Sequence, residues 1–297
     1  MRRRSLYIGL LAGLLAASGV AEARMHHPYR GHRIVAVASA PLDGFAAPSG
    51  AYSFRKLKST YAGPAVRLRR ASDNAELDIG FLGFSGFTGA PWDEAAAAAH
   101  CAATSCFITI WYDQSGNARN VGNATVANQP ALAFNCKGTL PCVQSDATDF
   151  FSGASFTPAT GLVSLNVVAN RTSGTGPCGF LRENGAAAAN VMQAANGIAN
   201  TWRLVGSGFI GATATDAAWH TAIGIVDGAS SALTVDGGAP VTGTVTAILT
   251  GGVTIVGSGT TTTVCSIAEG VFWDNYRLLP AEAAGWQANQ KSYWGTP

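Results

Sequence analysis

The stretch Cys101–Asn120, CAATSCFITIWYDQSGNARN, sets two cysteines five positions apart before a run of β-formers and closes on a polar cluster. Ile108, Ile110 and Tyr112 alternate with Thr109 and Trp111, the period of two that belongs to a strand. The strand is predicted to end at Asp113. Asp113, Ser115 and Asn117 can each accept backbone hydrogen bonds in a turn opened by Gly116, because short polar side chains fold back onto their own backbone. On this reading the cluster holds a turn. A second reading makes Asp113 and Asn117 acceptors for sugar hydroxyls beside a Trp111 platform.

Outward from this stretch the same texture repeats. From Ala51 the chain runs in short β-like segments, among them AYSFRKL, AVRLRR, ALAF, GLVSLNVVANR, TWRLVG, HTAIGIVDG, ALTVDG and SIAEGVFW, separated by Gly, Asn, Asp, Ser and Thr. Many short strands at regular spacing predict an all-β antiparallel sandwich. Two helices are expected to interrupt it. PWDEAAAAAHCAA, from Pro91, has a proline, an early acidic pair and an alanine run, and LPAEAAGWQANQKSYW, from Leu279, reads as a closing helix or turn. No internal repeat of fixed period and no linker follows Ala51, so residues 49–297 read as one domain.

The chain opens with Met1 and three arginines, an apolar run from Leu6 to Val20, and Ala21-Glu22-Ala23. That is the pattern of a secretory signal over residues 1–23, and it predicts a secreted or periplasmic protein. Residues 24–48 read as a flexible N-terminal segment whose His26, His27 and His32 are a solvated tail; no metal site and no cofactor is expected. Without Arg2, Arg3, Arg4 and Glu22, the 19 basic and 17 acidic side chains become equal in number. A neutral chain lacks the basic excess that phosphate neutralisation requires, which excludes nucleic acid as a partner. No later segment is apolar for long enough to span a membrane. The six cysteines read as three disulfides, since an even count in an oxidising compartment pairs off. Loop geometry favours Cys101 with Cys106 and Cys136 with Cys142, leaving Cys178 with Cys265.

AWHTAIGIVDGASSALTVDGG, residues 218–238, has the rhythm of a hairpin, turned at Asp227-Gly228 and again at Asp236-Gly237. Its aspartates belong to turns and His220 to a packed strand. A glycosidase needs two carboxyl groups on one cleft, about 5–5.5 Å apart for retention of configuration. Asp73, Asp78, Glu183, Asp216, Glu269 and Asp274 are candidates. The staple from Cys178 to Cys265 would bring Glu183 toward the strand carrying Glu269, which makes these two the candidate catalytic pair; in the alternative, Glu183 closes a turn and Glu269 faces solvent.

HCAATSCFITIWYDQSGN, AYSFRKLKSTYAGPAVRLRR with the following SDN, and the late EGVFW strand closely resemble the catalytic domain of the arabinofuranosidase B family. The resemblance runs from about Ala51 to Tyr293 and is densest in its first third. It implies a concanavalin A-like, jelly-roll β-sandwich. It also implies recognition of terminal α-L-arabinofuranosyl groups of polysaccharides, cleaved by a retaining, two-carboxylate mechanism without a metal. The pattern departs at three places. The family nucleophile, a glutamate after a Trp-led strand, falls in TWRLVGSGFIG, which contains no acid; the acid/base aspartate falls in VGSGTTTTVC, where Ser258 and Thr260 stand; and the family's adjacent cysteines become Cys178-Gly179. Trp202 is the residue the resemblance implies for an aromatic pocket wall. Three functional classes follow: a hydrolase of arabinofuranosyl glycans, a lectin-like module that binds them, and a surface or adhesion scaffold.

Overall fold

The computed structural model describes residues 40–83, 89–146, 148–154, 161–173, 177–183, 191–194, 201–214, 217–247, 252–258 and 264–297. The expected signal sequence and the three histidines lie outside them. The strands, in chain order, are β1 (Gly50–Ser53), β2 (Val66–Arg70), β3 (Glu76–Ile79), β4 (Cys106–Trp111), β5 (Val121–Gly122), β6 (Ala131–Lys137), β7 (Leu140–Ser145), β8 (Phe151–Gly153) and β9 (Val163–Ser173). They continue as β10 (Cys178–Glu183), β11 (Val191–Ala194), β12 (Thr201–Val205), β13 (Phe209–Thr213), β14 (His220–Val226), β15 (Gly228–Val235), β16 (Val241–Val245), β17 (Val253–Ser258) and β18 (Val264–Asp274). Helix α1 is Glu94–His100 and α2 is Pro280–Trp294.

All pairings are antiparallel. One layer runs β3-β2-β4-β5-β8-β17-β10-β11-β12-β13. The other runs β1-β18-β9-β14-β15-β16, and the β6–β7 hairpin joins the two by pairing with β4 and β18. All three expected disulfides are present: Cys101–Cys106, Cys136–Cys142 and Cys178–Cys265. The hairpin at residues 218–238 also forms, and Asp236 and Gly237 both take positive φ, 54° and 71°, as a type I′ turn requires.

Burial separates the two layers. In β12 and β13 buried residues strictly alternate with partly or fully exposed ones, the signature of a sheet covered on one side. β14 is buried at every position, and β18 at all but its ends. The centre of the second layer, β9, β14 and β18, is therefore covered twice, by the first layer inside and by α2 with Leu42 and Leu57 outside. There Leu42, Leu57, Ile223, Trp273, Leu278 and Trp286 form a separate apolar cluster. This corrects the expected flexible segment at its C-terminal end: residues 40–48 include Leu42, which is buried, and Ala46, whose carbonyl accepts from Trp273 Nε1 at 3.0 Å.

Candidate functional site

The outer face of the first layer is open. Register places Asp78, Arg67, Ile110, Gly122, Ser152, Thr254 and Arg182 opposite one another across seven strands, and residues directly opposed in a ladder share a face. Small residues at the middle of this row leave a depression of about 360 Å3, lined by Glu76, Thr109, Gly122, Asn123, Gln129 and Ser152 among others. Gly122 is required there, because a Cβ would meet the Thr109 carbonyl at 2.4 Å. A second cleft of about 420 Å3 lies beside it, lined by Lys56, Tyr61, Pro64, Asp78 and Phe81 among others. Both volumes fall in the range of small-ligand sites, about 300–1,000 Å3.

Asp78 organises the second cleft. It receives a two-pronged ion pair from Arg67 at 2.8 and 2.9 Å and a hydrogen bond from the Tyr112 hydroxyl at 2.8 Å. The Arg67 hydrogen bonds, outweighing partial burial, hold its carboxyl below the usual carboxylate range. Burial and the Asp78 carboxylate push the Tyr112 phenol up to about 12. Tyr61 and Phe81 pack edge to face at 6.3 Å. The cleft thus offers a fixed anion, an ammonium and aromatic walls, a set suited to sugar hydroxyls and C–H faces. Sequence reasoning counted Asp78 only among possible carboxylates and passed over Glu76, two residues before it on the exposed edge strand. The legible signal was the alternation in VRLRR and ELDI, charged every second residue.

Glu269 lies in neither cleft, nor does it face solvent. Its side chain is fully buried under α2, where Arg55 donates from Nε at 2.7 Å and from Nη2 at 2.9 Å. Ser53 Oγ, Gln290 Nε2 and Trp294 Nε1 donate at 2.8, 2.8 and 3.2 Å. Burial alone would raise its pKa, but the Arg55 charge and these hydrogen bonds outweigh it, and the carboxyl is held below its ordinary value. Arg55 is sandwiched by Trp286 and Tyr293, whose ring centroids lie 5.6 and 4.7 Å from its guanidinium carbon. A carboxylate so enclosed has no route to a substrate. The backbone of Glu183 ends β10 opposite Val253; its side chain is outside the described set, so the expected pairing with Glu269 is not formed by described atoms.

The two expected tryptophan platforms are core residues. Trp111 has no exposed surface and packs against Phe54 at 5.5 Å and Tyr52 at 6.0 Å. Trp202 is 1% exposed, stacked on Phe180 at 5.1 Å and against His220 at 5.7 Å. The reason is register: both sit at inward positions of alternating strands. His220 is buried and bonded to Asp236 in the hairpin turn.

Asp113 and Asn117 are brought together, as a turn. Asp113, 3% exposed, accepts from the backbone of Ala51, Ser115 and Arg119 at 2.9, 2.8 and 3.0 Å and from Ser115 Oγ at 2.7 Å. Asn117 Nδ2 donates to the Pro48 carbonyl at 3.0 Å. The cluster pins the entry of β1 to the end of β4. Asp113→Ala is expected to cost about 1–3 kcal/mol, because three backbone donors lose a buried acceptor; urea denaturation checks this, and glycan affinity of the folded variant should be unchanged. Among the described residues no group of three His, Cys, Asp or Glu side chains is arranged to hold a metal ion.

The chain is similar in sequence and in fold to known proteins. Residues 41–157 match the family described as "Alpha-L-arabinofuranosidase B, catalytic". A probable α-L-arabinofuranosidase B of Aspergillus fumigatus is 41% identical over 70 residues, 24% of this chain and 13% of the relative. The α-L-arabinofuranosidase of Hypocrea jecorina is 44% identical over 70 residues, with the same shares. The match thus spans only a small part of the length of these relatives. Among solved structures, a mutant α-L-arabinofuranosidase soaked with 4-nitrophenyl α-L-arabinofuranoside superposes with a TM-score of 0.66 at 17% identity, covering 82% of this chain and 62% of that one. An arabinofuranosidase complexed with arabinofuranosyl-α-1,2-xylobiose gives 0.61 at 18% identity, with the same coverage. The chain thus resembles the arabinofuranosidase B catalytic domain, in sequence across residues 41–157 and in fold across most of its length.

Proposed function

We propose that this chain is an exported glycan-recognising protein that binds terminal α-L-arabinofuranosyl groups of polysaccharides on the open face of its first layer. One observation carries the reading: every residue lining the two polar clefts lies within residues 41–157, the segment matched to the arabinofuranosidase B catalytic family. Three disulfides favour an oxidising compartment. Among the described residues no helix is long and apolar enough to cross a membrane. Binding without cleavage is the form of the activity we favour. TWRLVGSGFIG contains no acid where the resemblance calls for the nucleophile, Ser258 and Thr260 stand where it calls for the acid/base, and Glu269 is consumed by its ion pair with Arg55.

Retaining hydrolysis is the second reading. Glu76 and Asp78, at alternate positions of β3, project to the same face, and an ionised Asp78 has the charge a nucleophile needs. Incubation of the mature protein with arabinan and with an aryl α-L-arabinofuranoside, measuring bound ligand and released arabinose separately, decides between the two. Saturable binding with turnover far below the usual range of about 1–1,000 per second is expected. Ordinary turnover, lost in Asp78→Asn or Glu76→Gln, would establish hydrolysis instead, and no binding to either compound would overturn the proposal.

A further inference from the structure

Each described arginine but two has a partner. Arg55, Arg67, Arg69, Arg70, Arg119 and Arg277 are held by carboxylates, amides or carbonyls, and Arg171 is also engaged. Arg182 on β10 and Arg203 on β12 have neither an ion pair nor a hydrogen bond among the described residues, and the Nε of each is buried without an acceptor. A buried, unmatched guanidinium donor is costly and uncommon in native structures. Burial pulls the Arg182 pKa down, the direction expected of a cation with no countercharge.

Both side chains belong to the open face. Arg182 is opposed by Thr254 and Val191, and its guanidinium lies over Gly179, where a Cβ would come within 2.6 Å of Nη2. Gly179 opposes Gln193, and Gln193 opposes Arg203. Arg182's head group and Arg203's backbone thus lie on one row two strands apart, about 10 Å at the usual strand spacing. The Arg203 guanidinium carbon stands 4.6 Å from the centroid of Phe209, which is 61% exposed. An exposed ring beside a cation gives a sugar a stacking surface with an anion anchor next to it.

We propose that Arg182 and Arg203 form an anion-recognising extension of the glycan face, selecting polysaccharides whose sugars carry carboxylate or sulfate groups. Guanidinium forks match both anions in two-pronged geometry. An arginine on each of two strands of the face fits charges on different sugars of one chain. The proposal rests on the reading that the open face takes a glycan.

The test is calorimetry on the full mature chain with four probes: a neutral arabino-oligosaccharide, an oligogalacturonide of similar length, a sulfated oligosaccharide, and monomeric galacturonate. Binding of at least one anionic oligomer about tenfold or more tighter than the neutral one is expected, as charge-assisted hydrogen bonds predict, and the advantage should shrink as salt rises. Comparing the uronate with the sulfated oligomer identifies the preferred anion. Arg182→Gln and Arg203→Gln should each reduce the advantage, the double variant should abolish it, and Arg203→Lys should retain part of it. Melting temperature and neutral-ligand binding report whether the variants still fold. Equal affinity for neutral and anionic oligomers, an advantage that survives in the folded double variant, or binding of the monomer as tight as the oligomer would overturn the inference while leaving arabinofuranosyl recognition standing. If the anionic oligomer binds in an arginine-dependent way and the neutral one does not bind, this inference holds and the arabinofuranosyl reading fails. Failure of all four probes to bind overturns both.

Discussion

Glu269→Gln is expected to lower the folding stability of this protein by about 3–5 kcal/mol, the cost of leaving one member of a buried ion pair without its countercharge. The substitution keeps the shape of the side chain, removes the charge and turns one acceptor oxygen into an amide donor that faces the donors of Arg55 and Gln290, so the loss is one of charge and hydrogen bonding rather than of packing. Arg55 would remain enclosed by Trp286 and Tyr293, its Nη1 donating to Asn289 Oδ1 at 2.7 Å. A double replacement by apolar residues, Arg55→Met with Glu269→Leu, should recover much of the loss, because it removes the desolvated charges together. The pH dependence has a definite sign. The folded pKa of Glu269 is depressed below its ordinary value of 4.5, so its contribution is fully present above that value and is lost as pH falls through the lower, folded one. Wild-type unfolding midpoints in urea should therefore decline below about pH 4.5, and the Gln variant should lack that part of the decline. Unchanged stability with abolished glycosidase turnover would instead restore Glu269 to a catalytic role.

The same residue shows why the site was harder to read than the fold. IAEGVFW has the look of a half-exposed strand with one acid on its outer side, and that much was legible. What covers the outer side is a helix 11 residues further on, and its Gln290 and Trp294 reach Glu269 only after α2 folds back over β18. Arg55 arrives from the opposite end of the chain, 214 residues away. No local pattern encodes that meeting. Trp111 and Trp202 failed as platforms for a related reason: alternation identifies two faces but does not say which one is inside. The Asp113 turn, in contrast, was legible because it is local, with donors at Ser115 and Arg119. The disulfide pairs were legible because two of them close loops too short for other pairings to compete.

Removal of the third disulfide, Cys178–Cys265, should be the most damaging of the three disulfide deletions. Its ends are 87 residues apart in sequence, against 5 for Cys101–Cys106 and 6 for Cys136–Cys142. A cross-link acts largely on the unfolded chain, whose loop-closure entropy grows with the logarithm of loop length. On that basis the long staple contributes roughly 4–5 kcal/mol and each short one roughly 2 kcal/mol. The staple also joins β10 of the open layer to β18 of the covered one, so it fastens the face carrying both clefts to the part of the molecule anchored by α2. Cys178→Ala with Cys265→Ala should shift the guanidinium unfolding midpoint by about twice as much as Cys101→Ala with Cys106→Ala. Both cysteines of the staple are fully buried, so part of the loss is packing. Equal losses for the long and short pairs would show that native-state contacts, not chain entropy, set the strength of these bridges.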